Sequence, residues 1–135
     1  MVDSAVLVVD DDPAIRELLW VMLEALPGVC PVLAANGEEG VRLAREAKPA
    51  LVLLDLAMPG VSGLDVVTRL KADPGTEAIP VIAVTAMITV RKEALAMGCA
   101  EFVQKPFSLD YLVATVRRYL PAQTQSAGWS EPADQ

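Results

Sequence analysis

The chain has 135 residues, 53 % of them hydrophobic, with a formal net charge of −7 and no histidine. This length suits one domain, and the acidic balance argues against direct nucleic-acid binding, which needs clustered lysines and arginines. The lack of histidine excludes histidine metal ligands, histidine general bases and a phosphohistidine within these residues.

The cysteine content and the hydropathy indicate the cellular compartment of the protein. The two cysteines, Cys30 and Cys99, match no metal-ligand spacing and are too few for a disulfide scaffold. We expect both to be buried small residues in a reducing compartment. The first residues form no basic secretory signal, and no apolar run reaches the roughly 18 residues of a membrane span. We therefore predict a cytoplasmic protein that does not insert into a membrane.

Five short apolar runs alternate with segments of helical periodicity. The predicted strands are 5–9, 29–33, 50–54, 80–84 and 101–104. The first, third and fourth are continuously apolar, as strands buried on both faces of a parallel sheet are. Pro31 cannot donate to a ladder, and the fifth run is short with polar flanks, so the second and fifth strands are predicted at the edges. The pattern indicates an α/β fold with a doubly wound, five-stranded parallel sheet of order 2-1-3-4-5.

Five helices are predicted, at 14–26, 37–48, 63–72, 89–97 and 109–120. Asn36, Ser62 and Ser108 are the expected N-caps of the second, third and fifth. Leu18 in the first helix and Leu109 in the last are assigned to buried faces by their periodicity.

The end of the chain differs in composition from the rest. Residues 121–135 are rich in proline, alanine, serine and glutamine and lack periodicity, so we predict a disordered tail after a domain spanning 1–120. This segment is too short for a DNA-binding or enzymatic output domain. We therefore expect either a stand-alone domain that acts by binding a partner or a fragment of a longer protein.

Polar residues follow four of the predicted strands. In an open α/β sheet, ligands bind beyond the carboxyl ends of strands where the strand order reverses, between strands 1 and 3 in this order. The residues at these ends are Asp10, Asp11 and Asp12 after the first strand, Asp55 after the third, Thr85 after the fourth and Lys105 after the fifth. Four carboxylates, one hydroxyl and one ammonium group should therefore meet at one rim.

The three successive aspartates indicate a cation site. Asp12 alone suits the N-cap of the first helix, but three exceed what a cap needs. Like charges brought together cost stability unless a cation offsets them. Mg²⁺ takes one or two carboxylates and keeps several waters, which fits this loop.

Asp55 follows an apolar run, an expensive place for a lone carboxylate. Its side chain could cap the next loop, or it could be a nucleophile that attacks phosphorus and forms an acyl phosphate. In the second case a metal would shield the approach of two anions, and Lys105 would add a point charge at the phosphoryl oxygens. The Thr85 hydroxyl could donate to the same group.

These residues stand in motifs that resemble those of the receiver domain of two-component response regulators, of the single-domain chemotaxis or phosphorelay type. The motifs are VLVVDDDP at 6–13, LDLAMPG at 54–60, SG at 62–63, VTA at 84–86 and KPF at 105–107. The resemblance covers about residues 5–120 and implies a flavodoxin-like (βα)5 fold.

The resemblance implies a role for each acidic residue. Asp55 would be the phosphoacceptor. Asp10 and Asp11 would form the acidic pair that binds Mg²⁺ or Mn²⁺, with Asp11 as a direct ligand. The Asp55 carboxylate and the backbone carbonyl of Ala57 would complete the protein ligands.

Phosphoryl binding and switching are implied for residues on the last two strands. Thr85 and Lys105 would hold the phosphoryl group, with a cis peptide between Lys105 and Pro106. Thr85 and Phe102 would be the switch residues, and Phe102 lacks the hydroxyl of the tyrosine that the family often has there. The chain would autophosphorylate and autodephosphorylate at Asp55 without being a metabolic enzyme.

The resemblance also implies partners. A sensor histidine kinase or histidine phosphotransfer protein would dock on the first helix, and we assign Ile15, Trp20 and Pro106 to that surface. The alternative for Trp20 is a partly covered surface aromatic. A downstream protein target would bind the face formed by helix 4, strand 5 and helix 5. A phosphorylation-dependent homodimer is a further expected partner state.

The segment between Thr85 and Lys105 departs from the family pattern. It is slightly shorter than is common, and residues 86–90 are unusually apolar. We predict a shortened or shifted fourth helix and a hydrophobic output surface.

Two other functions fit less well. The Asp10-x-Asp12 pattern is similar to that of haloacid-dehalogenase-type phosphatases, but Ala14 stands where those enzymes have threonine or valine, and no adjacent acidic pair follows Thr85. Flavin binding would need small hydroxyl residues after the first strand, where three aspartates would repel a phosphate.

Overall fold

A computed structural model describes residues 4–121, so the tail expected at 121–135 lies outside the described residues except for its first residue. The strands are β1 (Ser4–Val9), β2 (Val29–Ala34), β3 (Leu51–Leu54), β4 (Val81–Thr85) and β5 (Glu101–Gln104). The helices are α1 (Pro13–Glu24), α2 (Gly37–Ala47), α3 (Gly63–Ala72), α4 (Arg91–Ala96) and α5 (Leu109–Arg118). Among the described residues, no helix is long and apolar enough to cross a membrane.

The five strands form one parallel sheet in the order β2-β1-β3-β4-β5, which confirms the predicted topology. Strands β3 and β4 are buried along their whole length, as their continuous apolar runs require. Pro31 lies on the edge strand β2 opposite Val6, where a missing N–H donor is tolerated.

Hydrophobic layers cover both faces of the sheet. Alternate residues of one strand point to opposite faces. Leu7 and Val9 of β1 therefore join the cluster that contains buried residues of α2, α3 and α4, whereas Val6 and Val8 join the cluster with α1 and α5. The sheet thus lies between two helical layers. The loops at its carboxyl edge carry the polar residues.

The predicted caps are present. Asn36, Ser62 and Ser108 each accept a hydrogen bond from a backbone N–H in the first turn of their helix. Asp12 caps α1 by accepting from the N–H of Ala14 at 2.9 Å. These bonds satisfy donors that have no partner inside the helix.

Three side chains expected inside are exposed. Leu18 is 39 % and Leu109 is 42 % exposed, because other residues of α1 and α5, such as Leu19 and Leu112, fill the narrow stripe that meets the sheet. Cys30 is exposed whereas Cys99 is buried. The predicted burial of Cys30 is wrong because β2 is an edge strand that its neighbours cover incompletely.

The fourth helix is short, as predicted. It comprises six residues, Arg91–Ala96, after a 3₁₀ turn at Ile88–Val90. Met87 and Ile88 are exposed large hydrophobic residues. The first turn of α4, however, exposes the charged side chains of 91–93, so the exposed apolar residues lie in the preceding loop and, on α5, at Leu109 and Tyr111.

Candidate functional site

The carboxyl edge of the sheet brings the strand-end residues together. Val9 pairs with Leu54 in the β1–β3 register, so the next residues, Asp10 and Asp55, leave the sheet side by side. Thr85 ends β4 and pairs with Gln104, the residue before Lys105. Because all five strands are parallel, these ends lie on one edge, and the predicted convergence is confirmed in the backbone.

A buried ion-pair cluster forms at this edge. Asp10 and Asp55 are only 2 % and 6 % exposed. Nζ of Lys105 lies 2.8 Å from Oδ2 of Asp10 and 3.2 Å from Oδ2 of Asp55. One ammonium group therefore bridges two carboxylates, which offsets part of the cost of burying them.

Backbone amides hold the other oxygen of each carboxylate. Oδ1 of Asp10 accepts from the N–H of Asp12, and Oδ1 of Asp55 accepts from the N–H of Ala57, both at 2.9 Å. In each case the amide lies two residues further along the chain. Each aspartate is thus oriented by its own loop, so that Oδ2 of Asp10 and Oδ2 of Asp55 both face Lys105.

Burial and pairing shift the pKa values here. Burial raises the pKa of Asp10 above its usual value, although the hydrogen bond from Lys105 and that from the Asp12 amide act in the opposite direction. Burial by itself would lower the pKa of Lys105, but its hydrogen bond and charge interaction with Asp10 and Asp55 outweigh that effect and raise the pKa. Lys105 is therefore a fixed positive charge at neutral pH.

Three of the predicted metal residues lie within reach of one ion. Carboxylate oxygens of Asp10, Asp11 and Asp55 all lie within 4.8 Å of one another. Asp11 is exposed whereas the other two are buried, so an ion would keep access to water on one side. An all-oxygen set of this kind fits Mg²⁺ or Mn²⁺. Asp12 is engaged as the α1 cap.

The residues assigned to switching lie on β4 and β5. Thr85 is fully buried, and its hydroxyl oxygen accepts from the N–H of Met87 at 3.2 Å. Its carbonyl accepts from the N–H of Lys105 at 2.9 Å, which connects the two strand ends. Phe102 is half-buried and packs against the hydrophobic cluster on the α2–α4 face. The peptide between Lys105 and Pro106 is cis, as the resemblance implied.

The structure separates the three predicted docking residues. Ile15 and Pro106 line one groove of about 360 Å³, which also contains Lys105 and the exposed Leu18. Trp20 instead lines a different groove of about 330 Å³ with Pro13, Arg16, Glu17 and Leu33. The three residues therefore do not form a single pocket.

Two residues that contact the site were missed from the sequence. Arg16 donates from Nη1 to the backbone carbonyl of Asp10 at 2.8 Å. Gly63 packs so closely on the loop after β3 that an added Cβ would lie 2.7 Å from the carbonyl oxygen of Asp55. The first contact had no sequence signal, because an arginine in a helix is ordinarily a surface residue. In the sequence, the serine-glycine pair at 62–63 stands out only as part of a motif.

Comparison with known proteins places these features in a family. A family model described as the response regulator receiver domain matches residues 6–117. The polar-differentiation response regulator DivK of Brucella anthropi is 37 % identical over 119 residues, covering 87 % of this chain and 96 % of DivK. The DNA-binding response regulator MtrA of Mycolicibacterium smegmatis is 37 % identical over 131 residues, covering 91 % of this chain and 56 % of MtrA. The chain spans about half the length of the DNA-binding relatives it matches.

Solved structures are similar over nearly all their length. The receiver domain of the sensor histidine kinase PA1611 from Pseudomonas aeruginosa, with a magnesium ion coordinated in its active site cleft, has a TM-score of 0.79 at 27 % identity, covering 87 % of this chain and 97 % of that one. The chemotaxis protein CheY4 of Vibrio cholerae has a TM-score of 0.80 at 27 % identity, covering 87 % and 99 %.

Proposed function

This chain belongs to the response regulator receiver domains of two-component systems, and from that premise we propose that Asp55 accepts the phosphoryl group that operates the switch. The observation that carries the proposal is the position of Asp55: a buried carboxylate at the end of β3 with Oδ2 3.2 Å from the Lys105 ammonium group. A buried carboxylate next to a fixed cation is a preorganised place for a second anionic group.

The reaction we propose is transfer from a phosphohistidine to Asp55. A carboxylate oxygen of Asp55 attacks phosphorus and forms an acyl phosphate, while the phosphorus–nitrogen bond breaks and its electron pair stays on the imidazole, which then takes up a proton. The 135 residues contain no histidine, so the donor lies outside them. A sensor histidine kinase or a histidine phosphotransfer protein is the donor we propose.

The residues around Asp55 have complementary roles in this proposal. Asp10, Asp11 and Asp55, with the backbone carbonyl of Ala57, would hold Mg²⁺ or Mn²⁺. The bound cation would supply positive charge that lowers the repulsion between the carboxylate and the incoming phosphoryl group. Lys105, which already bridges Asp10 and Asp55, would move a short distance to the phosphoryl oxygens.

Signal output would begin at Thr85. Its hydroxyl accepts from the N–H of Met87, the first contact of the β4–α4 loop with the site. If the Thr85 hydroxyl shifts toward a phosphoryl group on Asp55 to donate to it while still accepting from Met87, the loop containing Met87 and Ile88 would move with it. Phe102 lies on the neighbouring strand and would repack with it. A population shift on the α4–β5–α5 face would then change the binding of a downstream target or of a second copy.

Mass spectrometry tests the phosphoacceptor. After incubation with acetyl phosphate and MgCl₂, we expect one added phosphoryl group, located on the peptide that contains Asp55, and no modification of Asp55→Asn. Asp65→Asn is the matched control, because Asp65 is an exposed carboxylate in the first turn of α3. Label on Asp10 instead would contradict the switch and favour the phosphatase alternative.

A further inference from the structure

Arg16 reaches back from the first turn of α1 to the end of β1. Its Nη1 donates to the backbone carbonyl of Asp10 at 2.8 Å, and the residue is half-buried. Trp20, one turn further along α1, and Leu33 of β2 line the same shallow groove as Arg16, so apolar surface flanks its aliphatic stem. The guanidinium group is thus oriented toward the acidic loop and is not a free surface charge.

The carbonyl that Arg16 binds belongs to the peptide that joins Asp10 to Asp11. A peptide unit is planar, so a hydrogen bond that fixes its oxygen also fixes the direction in which the backbone enters Asp11. The Asp10 carboxylate has its own constraints from the Asp12 amide and from Lys105. Asp11 is exposed, and no hydrogen bond to its carboxylate is found within residues 4–121. The orientation of Asp11 therefore depends on its backbone.

We propose that Arg16 is a positioning residue for divalent-cation binding, holding the 10–11 peptide so that the Asp11 carboxylate faces Asp10 and Asp55. This inference rests on the proposed function, because it assumes that these three carboxylates bind Mg²⁺. Arg16 would act through the backbone without touching the metal or the phosphoryl group.

The charge of Arg16 and its hydrogen bond have opposite effects on cation affinity, which makes the inference testable. A guanidinium group near an anionic site repels a cation, so removing only its charge would strengthen Mg²⁺ binding. Removing a residue that orients a ligand typically weakens metal binding by about 10- to 100-fold. We expect orientation to dominate here, because the bond is short and acts on the peptide next to a proposed ligand.

The experiment is an amide NMR titration of the full chain with MgCl₂. We expect Arg16→Met to weaken Mg²⁺ binding about tenfold, and Arg16→Lys, which keeps the charge but not the planar guanidinium donor, to weaken it too. Arg42→Met is the control, since Arg42 is an exposed α2 residue whose ion pairs within residues 4–121 are with Glu39 and Glu46. It should retain the wild-type affinity. Metal-free spectra of Arg16→Met should differ mainly at residues 10–12.

Each contrary result overturns the inference in a recognisable way. Equal or tighter Mg²⁺ binding by Arg16→Met would show that Arg16 acts through its charge alone or not at all. A lower free energy of unfolding in urea with an unchanged Mg²⁺ affinity would make its role purely structural. If the wild type binds no Mg²⁺, or if Asp11→Asn binds it equally well, the metal site of the proposed function fails, and the inference fails with it.

Discussion

Nζ of Lys105 lies 2.8 Å from Oδ2 of Asp10, although 95 residues separate them in the chain. Lys105 follows the edge strand β5 and Asp10 follows β1, and two strands lie between them in the sheet. The bond therefore crosses the carboxyl edge above β3 and β4. In the absence of metal, this ammonium group is the counter-ion that permits two buried carboxylates.

Replacing this ammonium group should destabilise the metal-free protein. We expect Lys105→Met to lower the free energy of unfolding by about 1–3 kcal/mol, because charge-assisted hydrogen bonds to Asp10 and Asp55 are lost while both carboxylates stay buried. Added Mg²⁺ should reduce the deficit, since a cation would then take over the neutralising role. Urea unfolding with and without MgCl₂ measures both effects.

The control for that experiment is Lys92→Met, which removes the same charge from an exposed position on α4. It should change the free energy of unfolding by less than about 0.5 kcal/mol under either condition. If the Lys105→Met deficit is the same with and without Mg²⁺, the lysine and the metal do not share the same carboxylates.

The groove beside Lys105 should matter for transfer from a protein donor. Leu18 is an exposed leucine in that groove, which also contains Ile15 and Pro106. We expect Leu18→Gln to slow phosphorylation by a histidine-phosphorylated partner severalfold, because a docked partner would remove the apolar surface of Leu18 from water and glutamine would lose that gain. Phosphorylation by acetyl phosphate, which needs no docking, should keep the wild-type rate.

Val21→Gln is the control that distinguishes an effect of this groove from an effect of the rest of the α1 surface. Val21 lies on α1, is more exposed than Leu18 and does not line the groove. Its substitution should leave both rates unchanged. If instead Trp20→Ala slows transfer and Leu18→Gln does not, the donor docks on the other groove of α1.

The loop after β3 should tolerate no side chain at residue 63. A Cβ on Gly63 would lie 2.7 Å from the carbonyl oxygen of Asp55 and against the backbone of Leu56, neither of which can swing away. We expect Gly63→Ala to lower the free energy of unfolding by about 1–3 kcal/mol and to slow phosphorylation by displacing Asp55. Urea unfolding and acetyl phosphate labelling measure the two effects.

Gly75→Ala is the matched glycine substitution. There the nearest atom to an added Cβ is the end of the flexible Lys48 side chain, which can move aside. Stability and labelling should therefore stay close to wild type. A harmless Gly63→Ala would mean that the loop carrying Asp55 adjusts without affecting the site.

The two cysteines should differ in reactivity. Burial raises the pKa of the Cys99 thiol to about 11, so at pH 8 only about one molecule in a thousand carries the reactive thiolate there. Cys30 is exposed on β2. We expect Ellman's reagent to modify one thiol per chain rapidly and the second only after unfolding. The Cys30→Ser variant should lose the rapid phase, and two rapid phases in the wild type would contradict the burial of Cys99.

Tyr119 should make stability depend on alkaline pH. Its hydroxyl donates to Glu101 at 2.7 Å, and this bond together with partial burial raises the pKa of Tyr119 above 10.0. The folded chain holds the proton more tightly than the unfolded chain. The resulting stabilisation is therefore complete below about pH 10 and is lost as the pH rises through the raised pKa. Phenylalanine cannot ionise, so the free energy of unfolding of Tyr119→Phe should fall less steeply as the pH rises.

Absorbance of tyrosinate gives a second measurement of the same contact. Glu101→Gln removes the anion that disfavours a phenolate, so the pKa of Tyr119 should move back toward its usual value. An unchanged titration curve would mean that the Glu101 contact does not form in solution. Unfolding curves that run parallel for the wild type and Tyr119→Phe across alkaline pH would lead to the same conclusion.

The order of the strands could be predicted from the sequence more accurately than the set of helix side chains that are buried. The apolar runs and Pro31 indicated the strand order, because central strands need apolar residues on both faces. The helical periodicity assigns Leu18 and Leu109 to the interior, but both are exposed. The hydrophobicity of a side chain indicates whether the side chain favours burial. The tilt of a short helix on the sheet decides which side chains make contact.

The sequence by itself determined the elements, the caps and the set of polar residues at the strand ends, because each depends on neighbours a few positions away and on the common direction of parallel strands. Only the tertiary structure decided that Lys105 bridges Asp10 and Asp55, that Arg16 binds the Asp10 carbonyl, and that Trp20 lies apart from Ile15 and Pro106. These contacts depend on rotamers and loop directions set by the packing of distant segments. No local pattern encodes that packing, because it is a sum of many small interactions across the whole domain.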